Sequence, residues 1–167
     1  MDSFEKIYIE HRDRIHRLVR AYLPDAEARK DLFQNIVFNL WRSLKSFRGE
    51  CGTGTWVYRI AFNTALMFLR SQYKWNKIPD NMRDWSEKDI PDSPETSLEN
   101  KQETDRLYRA IHHLDKTDRL IITLFLEDLS YREIAEIAGI GTNHVGVKLN
   151  RIKTKLSRIL KEVSHGT

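Results

Sequence analysis

Residues 130–161 read SYREIAEIAGIGTNHVGVKLNRIKTKLSRILK and contain two helical patterns separated by a glycine turn. Ser130 followed by Glu133 is a capping-box pair, which predicts a helix over residues 131–138. The residues that this helix turns inward at helical spacing are Ile134, Ala135 and Ala138. Gly139 then supplies the left-handed residue that ends a helix. The segment therefore begins with a short helix and a tight turn.

The second pattern begins after Gly141, where Thr142 or Asn143 can cap a new helix. One edge of it is apolar and comprises Val145, Leu149, Ile152, Leu156 and Ile159. The other side repeats the same spacing with His144, Lys148, Arg151, Lys155 and Arg158. No acidic residue occurs between residues 137 and 161. This pattern is typical of a helix-turn-helix that presents its recognition helix to the major groove of DNA. An ordinary helical hairpin with a basic solvated face would have the same pattern.

The basic and acidic residues are distributed unevenly along the 167 residues, a length that suits one domain or two small ones. Residues 1–71 carry 12 basic and 8 acidic side chains, and residues 104–167 carry 11 and 8. Residues 72–103 carry 5 basic and 8 acidic side chains. Two basic modules on an acidic tether suit a polyanion that is bound at two places.

Several classes of protein are excluded by what the sequence lacks. The single Cys51 excludes an intrachain disulfide and a cysteine-built metal cluster. The first residues, MDSFEKIYIEHRD, contain no apolar signal region, and no run reaches the length of a membrane span. The sequence contains no Gly-rich phosphate loop, HExxH, CxxC or nucleophile elbow. We therefore expect a cytoplasmic protein that is not itself in the membrane. It should not be an enzyme and should have no catalytic residue, cofactor, metal site or small-molecule substrate.

The first half of the chain predicts two helices, one from Phe4 that stops at Pro24 and one over residues 31–44. The apolar half of the second helix comprises Leu32, Phe33, Ile36, Val37, Leu40, Trp41 and Leu44. Phe38 lies in the middle of the polar half, among Asp31, Gln34, Asn35, Arg42 and Lys45. A large aromatic residue on a polar face suggests a protein partner. A lone exposed aromatic side chain without a partner is the alternative.

A glycine-rich loop follows, and Thr55 is expected to cap a long helix over residues 56–72. This helix is mostly apolar, but Arg59, Asn63 and Arg70 fall in one narrow sector of it. A polar row beside a flexible loop suits a surface that contacts the backbone and bases of a nucleic acid. The alternative is that these side chains are simply solvated or cap neighbouring elements.

The predicted fold is all-α, with two small helical domains joined by a flexible linker. The domains are residues 1–72 and 104–167, and residues 73–103 form an acidic linker with Pro79, Pro91 and Pro94. The second domain adds a helix that ends near Asp115 and another that Asp115 or Thr117 caps. It is therefore a four-helix domain that contains the helix-turn-helix.

Three of these segments resemble those of the extracytoplasmic-function (ECF) sigma factors, the small initiation subunits of bacterial RNA polymerase. DLFQNIVFNLW resembles the helix that docks on the polymerase, and FRGECGTGTWVYRIAFNTALMFLR resembles the segment that melts and reads the minus-ten promoter element. LSYREIAEIAGIGTNHVGVKLNRIKTKL is similar to the family's helix-turn-helix for the minus-thirty-five element. The resemblance covers residues 4–71 and 104–161. It implies core RNA polymerase and promoter DNA as partners, together with an anti-sigma factor that is typically anchored in the membrane.

The resemblance also implies roles for individual residues. Core-polymerase binding would fall to Asp31, Gln34, Phe38 and Trp41. Minus-ten DNA binding would fall to Arg48, Gly49, Glu50, Cys51, Gly52, Thr53, Trp56, Arg59, Asn63 and Arg70. Minus-thirty-five DNA binding would fall to Thr142, Asn143, His144, Lys148, Asn150 and Arg151, with phosphate neutralised by Lys153, Lys155 and Arg158.

The chain departs from the family pattern at a few of these positions. Asn35 stands where the family usually has glutamate, and Cys51 stands where it commonly has serine. Asn143 and His144 replace the usual Gly-Thr before Val145, so the promoter preference of relatives should not transfer. The alternative function is a free-standing helix-turn-helix regulator with an N-terminal helical sensor domain. Such a regulator would not need an exposed Phe38 or the polar row on the long helix.

Overall fold

A computed structural model of the chain describes residues 3–76 and 98–165, with the side chains of residues 3–71 and 101–162. All secondary structure in these described residues is helical. The seven helices there are α1 (Phe4–Tyr22), α2 (Ala26–Ser43), α3 (Thr53–Asn76), α4 (Leu98–His112), α5 (Lys116–Leu126), α6 (Tyr131–Ala138) and α7 (Thr142–His165). A single 3-10 turn, Leu44–Ser46, follows α2. The predicted all-α fold of two helical domains is confirmed.

Two helices begin earlier than the sequence indicated. The Asp25 carboxylate accepts a hydrogen bond from the backbone N–H of Ala28 at 3.1 Å, so α2 begins at Ala26 instead of residue 31. The backbone N–H of Trp56 donates to the carbonyl of Gly52 at 3.0 Å, so Gly52 stands before the first turn of α3. Thr55, the expected cap, therefore lies inside the helix.

The N-terminal domain consists of α1, α2 and α3 packed around one apolar core. Its buried side chains include Ile15, Leu18, Leu32, Ile36, Leu40, Val57, Ala61, Phe62 and Ala65. The buried Arg29 donates to the carbonyl oxygens of Leu23 at 2.7 Å and Pro24 at 3.0 Å. Arg29 thus satisfies the carbonyls of the turn between α1 and α2 and stabilises that turn.

The C-terminal domain consists of α4 to α7, and both α4 and α5 pack on α7. Its buried side chains include Ile111, Leu114, Leu120, Ile121, Leu124, Ile134, Val145, Leu149, Ile152 and Leu156. Asp115 caps α5, because its carboxylate accepts from the backbone N–H of Asp118 at 2.8 Å. Of the two predicted caps, Asp115 was therefore correct and Thr117 was not.

The predicted linker is helical at both ends where the structure describes it. α3 continues to Asn76, and α4 already begins at Leu98. Residues 77–97, with Pro79, Pro91 and Pro94, lie outside the described residues. The domain boundaries and the linker therefore stay a prediction there. Among the described helices, none combines the length and apolar character needed to cross a bilayer.

The two domains pack directly against each other, α1 on α4 and α5, and α3 on α6. The Tyr22 hydroxyl, at the end of α1, donates to the carbonyl oxygen of Lys116 at 2.7 Å. The buried Arg119 donates back to the carbonyl oxygen of Tyr22 at 3.1 Å. We call this packed arrangement of the domains the closed form.

Arg20 forms a second group of contacts between the domains. Its guanidinium lies 4.4 Å from the ring centroid of Tyr108 and is paired with the carboxylate of Asp105. The Nε2 of His112 lies 2.9 Å from the Arg20 carbonyl oxygen, so this nitrogen carries a proton. Burial lowers the pKa of His112 to about 4, and the hydrogen bond to Arg20 opposes this shift only in part. His112 is therefore neutral in the closed form at physiological pH.

Candidate protein- and DNA-binding surfaces

The outer face of α2 presents two aromatic rings to solvent. Phe38 is 55% exposed and Trp41 is 58% exposed, and their ring centroids are 6.1 Å apart. The Arg42 guanidinium lies 5.7 Å from the centroid of the Phe38 ring. Asp31 and Gln34 are also exposed, and at about 100° per residue all four predicted polymerase-contact residues share one sector of α2. We call Asp31, Gln34, Phe38 and Trp41 the α2 face.

The exposure of Trp41 corrects the helical-wheel prediction, which grouped it with the apolar half of α2. Leu32, Ile36 and Leu40 are buried as expected, and Val37 is half-buried. Trp41 lies at the edge of this apolar half, beyond the reach of α1 and α3, which cover only the middle of it. An exposed pair of rings is a stronger indication of a protein-binding surface than Phe38 alone.

The loop before α3 is open on its outer side. Arg48, Gly49, Glu50 and Gly52 are exposed, whereas Cys51 and Thr53 are half-buried. Gly49 has a φ of 74°, a backbone conformation that favours glycine. Apart from the adjoining residues, no described atom lies within 4 Å of the position that a Cβ would take at Gly49 or Gly52. This side of the loop therefore faces open solvent.

Trp56, which the resemblance assigns to minus-ten DNA binding, lies beneath this loop. It is 8% exposed, and its ring centroid lies 4.7 Å from that of Phe47. At about 100° per residue Trp56 shares the sector of Arg59 and Asn63, and it is buried because Phe47 packs on it. Trp56 thus supports the start of the loop instead of presenting its own ring.

The polar row on α3 contains a residue that the sequence analysis missed. Asn63 and Arg70 are exposed and Arg59 is half-buried, in the predicted sector. Met67, one of the apolar residues of this helix, is 69% exposed and lies in the same sector. Its spacing of four residues after Asn63 was the available signal. An exposed methionine adds an adaptable apolar contact to this row.

The turn of the helix-turn-helix has the predicted glycine geometry. Gly139 has a φ of 71°, and its N–H donates to the carbonyl oxygen of Ala135 at 2.9 Å. The N–H of Ile140 bonds the same carbonyl at 3.2 Å. The predicted helix end at Gly139 is confirmed. On α6, Ile134 and Ala135 are buried as predicted, whereas Ala138 is only half-buried and Ile137, for which no prediction was made, is buried.

The predicted cap of α6 is also present. The backbone N–H of Glu133 donates to the Ser130 hydroxyl oxygen at 3.1 Å. The Glu133 carboxylate accepts from the Ser130 hydroxyl at 3.0 Å, where a full capping box would have it accept from the backbone N–H of Ser130. The pair still satisfies the first turn of α6 and fixes the angle at which the chain enters it.

The recognition helix α7 buries the predicted apolar edge. Val145, Leu149, Ile152 and Leu156 are buried, and Ile159 is half-buried. The N–H of Val145 donates to the carbonyl oxygen of Gly141 at 3.1 Å, so neither Thr142 nor Asn143 takes the cap position. Both of these residues are exposed in the first turn of α7. Residues in this turn of a recognition helix are the ones that contact base edges.

The predicted DNA-contact residues of α7 lie on its open side. Besides Thr142 and Asn143, the exposed side chains among them are His144, Asn150, Arg151, Lys153 and Arg158. Lys148 is half-buried, with its Nζ 3.9 Å from Oδ1 of Asp118, and Lys155 is also half-buried. The Nζ of Lys153 lies 4.2 Å from the ring centroid of Phe125. Lys148 and Lys153 thus have partners within the domain that a DNA phosphate would have to replace.

Asp118 on α5 forms an ion pair with Lys148 near the start of α7. Burial raises the pKa of its carboxyl, and the neighbouring Asp115 raises it further, whereas Lys148 opposes the shift. The ammonium of Lys148 therefore stabilises the carboxylate of Asp118 in the absence of DNA.

The two basic surfaces do not face each other in the closed form. α3 packs on α6, not on the open side of α7. Asn63 and Arg70 on α3 and Arg151 and Arg158 on α7 all remain exposed. Both surfaces are therefore free to meet an extended polyanion.

The arrangement of helices and its open surfaces define a two-domain, all-helical transcription protein with a C-terminal helix-turn-helix. Models of known families match both domains, "Sigma-70 region 2" over residues 7–74 and "Sigma-70, region 4" over residues 104–163. The sigma-E factor of Escherichia coli K12, an ECF RNA polymerase sigma factor, is 31% identical over 145 residues, covering 81% of this chain and 74% of the relative. The RNA polymerase sigma factor YlaC of Bacillus subtilis is 28% identical over 162 residues, covering 90% and 94%.

Solved structures agree on the fold. The sigma factor RpoE of Bartonella quintana, crystallised with the anti-sigma factor NepR, superposes with a TM-score of 0.78 at 19% identity, covering 95% of this chain and 96% of that one. CnrH, in complex with the cytosolic domain of CnrY, superposes with a TM-score of 0.69 at 19% identity, covering 95% and 87%.

The chain belongs to the ECF RNA polymerase sigma factors. Its function is that of a transcription initiation factor, and the reading as a free-standing regulator is not favoured. The assignment of individual residues to polymerase or promoter contacts remains a prediction.

Proposed function

We propose that this chain binds core RNA polymerase through the α2 face and brings it to promoters by reading two elements. The minus-ten element is read by the loop of residues 48–53 together with Arg59, Asn63 and Arg70, and the minus-thirty-five element is read by α7. The observation that carries the proposal is the exposure of both surfaces, each on a helix whose opposite side is buried. The α2 face supplies the separate contact that a polymerase subunit needs and a repressor does not.

At the minus-ten element the chain would stabilise opened DNA. Unstacking a base costs a few kcal/mol, and a pocket that holds the extruded base offsets part of this cost. The free space beside Gly49 and Gly52 is where such a base would lie, and the packing of Trp56 on Phe47 holds the loop around it. The neighbouring row of Arg59, Asn63, Met67 and Arg70 would follow the unpaired strand.

At the minus-thirty-five element α7 would enter the major groove. Its first turn, with Thr142, Asn143 and His144, would contact base edges, as would Arg151 on the same face two turns further along. Lys153, Lys155 and Arg158 would neutralise phosphates, which adds affinity without sequence information. Lys148 would exchange Asp118 for a phosphate, so part of its electrostatic gain would be offset.

Simultaneous reading of both elements would require the closed form to open. Their centres are separated by about 25 base pairs, or about 85 Å at 3.4 Å per base pair. A compact chain of this length has a radius of gyration of about 15 Å and a diameter of about 40 Å. The two domains would therefore have to separate and move apart along the promoter, with residues 77–97 connecting them.

We further propose that the chain acts by binding and not by catalysis, in the cytoplasm where its polymerase is. Its free concentration would be controlled by an anti-sigma factor. The support is similarity to RpoE and CnrH, which were each solved with a partner of this kind. The partner of CnrH is represented by a cytosolic domain, in keeping with the expectation that the anti-sigma factor here is anchored in the membrane.

The decisive experiment is run-off transcription with purified core polymerase on a promoter library randomised at both elements. We expect transcripts that begin at a fixed distance from two enriched motifs, and none with core polymerase alone. A chain that binds duplex promoter DNA tightly by itself, and gives no transcript with core polymerase, would instead support a free-standing regulator.

A further inference from the structure

One acidic residue of the C-terminal domain makes all of its side-chain hydrogen bonds to the N-terminal domain. The Glu127 carboxylate accepts from the Nε of Arg17 at 2.5 Å and from its Nη2 at 2.8 Å. It also accepts from the Tyr58 hydroxyl at 3.1 Å. The Glu127 side chain is 9% exposed, whereas the Arg17 side chain remains 47% exposed, so water still reaches the arginine side of the contact. A bidentate arginine with a hydroxyl donor is the geometry by which proteins hold both carboxylates and phosphates.

The backbone holds Glu127 in place for this contact. It directly follows α5, and its N–H donates to the Thr123 carbonyl at 3.1 Å. The next residue, Asp128, has a φ of 64°, which turns the chain away towards α6. Glu127 therefore projects from a fixed helix end into the N-terminal domain.

A second cation lies beside the same position. Nη1 of Arg14 lies 3.9 Å from the position that a Cβ would take at Gly54, in the first turn of α3. Arg14 is exposed, and within the described part of the chain it makes no hydrogen bond or ion pair. Its charge acts on Tyr58, whose pKa is raised by burial and by Glu127 and lowered by Arg14. Arg14, Arg17 and Tyr58 thus form a basic cluster next to the start of α3, which we call the α1–α3 cluster.

We propose that the α1–α3 cluster is an anion site for a phosphate of the promoter strand, and that Glu127 occupies it in the closed form as an internal competitor. This inference rests on the proposed function, because it places the phosphate next to the loop that is expected to hold an unpaired base. The cluster adjoins that loop through Gly54, which follows residues 48–53 directly.

Glu127 and a DNA phosphate would compete for the cluster, because the two domains must separate to bind both promoter elements. In the open form that both promoter elements require, Glu127 leaves with the C-terminal domain, and two arginines remain in the N-terminal domain without its carboxylate. The same donors that held one carboxylate can then hold a non-bridging phosphate oxygen pair. The contact of Glu127 with Arg17 and Tyr58 therefore disfavours DNA binding by the free chain. Separation of the domains makes the α1–α3 cluster available when the promoter strand is bound.

The test uses the full chain and two variants that each lose one negative charge. Glu127→Gln removes the competing carboxylate. Asp128→Asn is the matched control, since asparagine tolerates the left-handed backbone conformation of residue 128. The probe is a fluorescein-labelled, single-stranded 20-nucleotide oligothymidine, measured by anisotropy over a range of salt concentrations. Thermal unfolding confirms that each variant is folded.

We expect Glu127→Gln to bind the probe about tenfold more tightly, as the loss of one well-formed ion pair implies, and Asp128→Asn to resemble the wild type. The slope of log affinity against log salt should steepen by about 0.7 for each additional phosphate contact. Adding Arg17→Gln to Glu127→Gln should remove the gain in affinity and slope. Small-angle scattering should give a larger radius of gyration for Glu127→Gln than for the wild type.

Two results would overturn the inference. One is equal probe affinity for Glu127→Gln and Asp128→Asn, and the other is an affinity gain that persists in the Glu127→Gln, Arg17→Gln double variant. Run-off transcription by the wild-type chain separates this inference from the function on which it rests. If the wild type supports promoter-specific transcripts while either result is found, only the anion site is wrong. If the wild type gives no transcript, the proposed function itself fails.

Discussion

Truncation of Phe38 tests whether the α2 face is the polymerase contact. The ring is 55% exposed, so Phe38→Ala removes little buried surface from the chain itself. An aromatic side chain buries about 200 Å² when fully covered, so about 110 Å² would remain to be covered by a partner. At about 25 cal/mol per Å² this corresponds to about 2.7 kcal/mol of binding free energy. The expected loss of affinity for core polymerase is then roughly 100-fold.

The measurement is equilibrium binding of fluorescently labelled full-length chain to purified core polymerase. The matched control is Ile9→Ala, because Ile9 on α1 is 57% exposed and has no predicted role in binding. We expect the control to bind like the wild type and both variants to keep the far-ultraviolet circular dichroism of a helical protein. Equal affinities for Phe38→Ala and the wild type would refute the docking role of the α2 face.

Three further predictions concern the C-terminal domain and the closed form. Arg151→Ala, on the exposed side of α7, should weaken use of the minus-thirty-five element by about 1–3 kcal/mol, and wild-type transcript levels from a promoter with that element would count against the assignment. Gly139→Ala should lower the free energy of unfolding by about 1 kcal/mol, because the φ of Gly139 is 71°. Gly146→Ala within α7 should raise it, because alanine favours a helix and the added Cβ would lie at an ordinary 3.5 Å from Tyr131. Denaturant titration of both variants measures this, and a change of the same sign in both would contradict the reasoning. Burial lowers the pKa of His112 from its ordinary 6.5 to about 4, so the contribution of His112 to the stability of the closed form is complete above pH 6.5. This stability should fall by up to roughly 3 kcal/mol as the pH drops towards 4, and small-angle scattering should show expansion of the chain over this window. A His112→Gln variant with the same pH dependence would rule His112 out as its source.

The helices of this protein were predictable because their signals are local. The apolar edge from Val145 to Leu156 follows a period that only a helix satisfies, and each of these side chains is buried. Gly139 could be predicted as a helix end because few other residues tolerate its backbone conformation. Asp115 and Ser130 were recognisable caps, since the residues that they bond lie three positions away.

The width of a buried face could not be predicted in the same way. Periodicity gives the direction of the apolar side of a helix, but the neighbouring helices decide how much of it they cover. Trp41 lies at the edge of an apolar sector and remains exposed, whereas Trp56 lies in the sector of Arg59 and Asn63 and is buried against Phe47. The exposure of both side chains depends on neighbouring segments that the helical period does not reveal.

The contacts between the domains had no local signal at all. Glu127 and Arg17 are 110 positions apart, and neither stands out in a sequence that is rich in both charges. Such a pair is recognisable only when the packing of α1 on α5 brings the two side chains together. The α1–α3 cluster was for that reason absent from the predicted DNA-contact residues.

Arg119 is one of several residues that join the two domains. Its guanidinium also donates to the carbonyl oxygens of Leu114 at 2.8 Å and His112 at 2.8 Å, both within its own domain, and to Tyr22 across the boundary. Separation thus removes one of these three hydrogen bonds, and water can replace the lost acceptor without leaving a buried cation unsatisfied. The two hydrogen bonds within the C-terminal domain therefore hold the Arg119 guanidinium in place whether or not the domains are in contact.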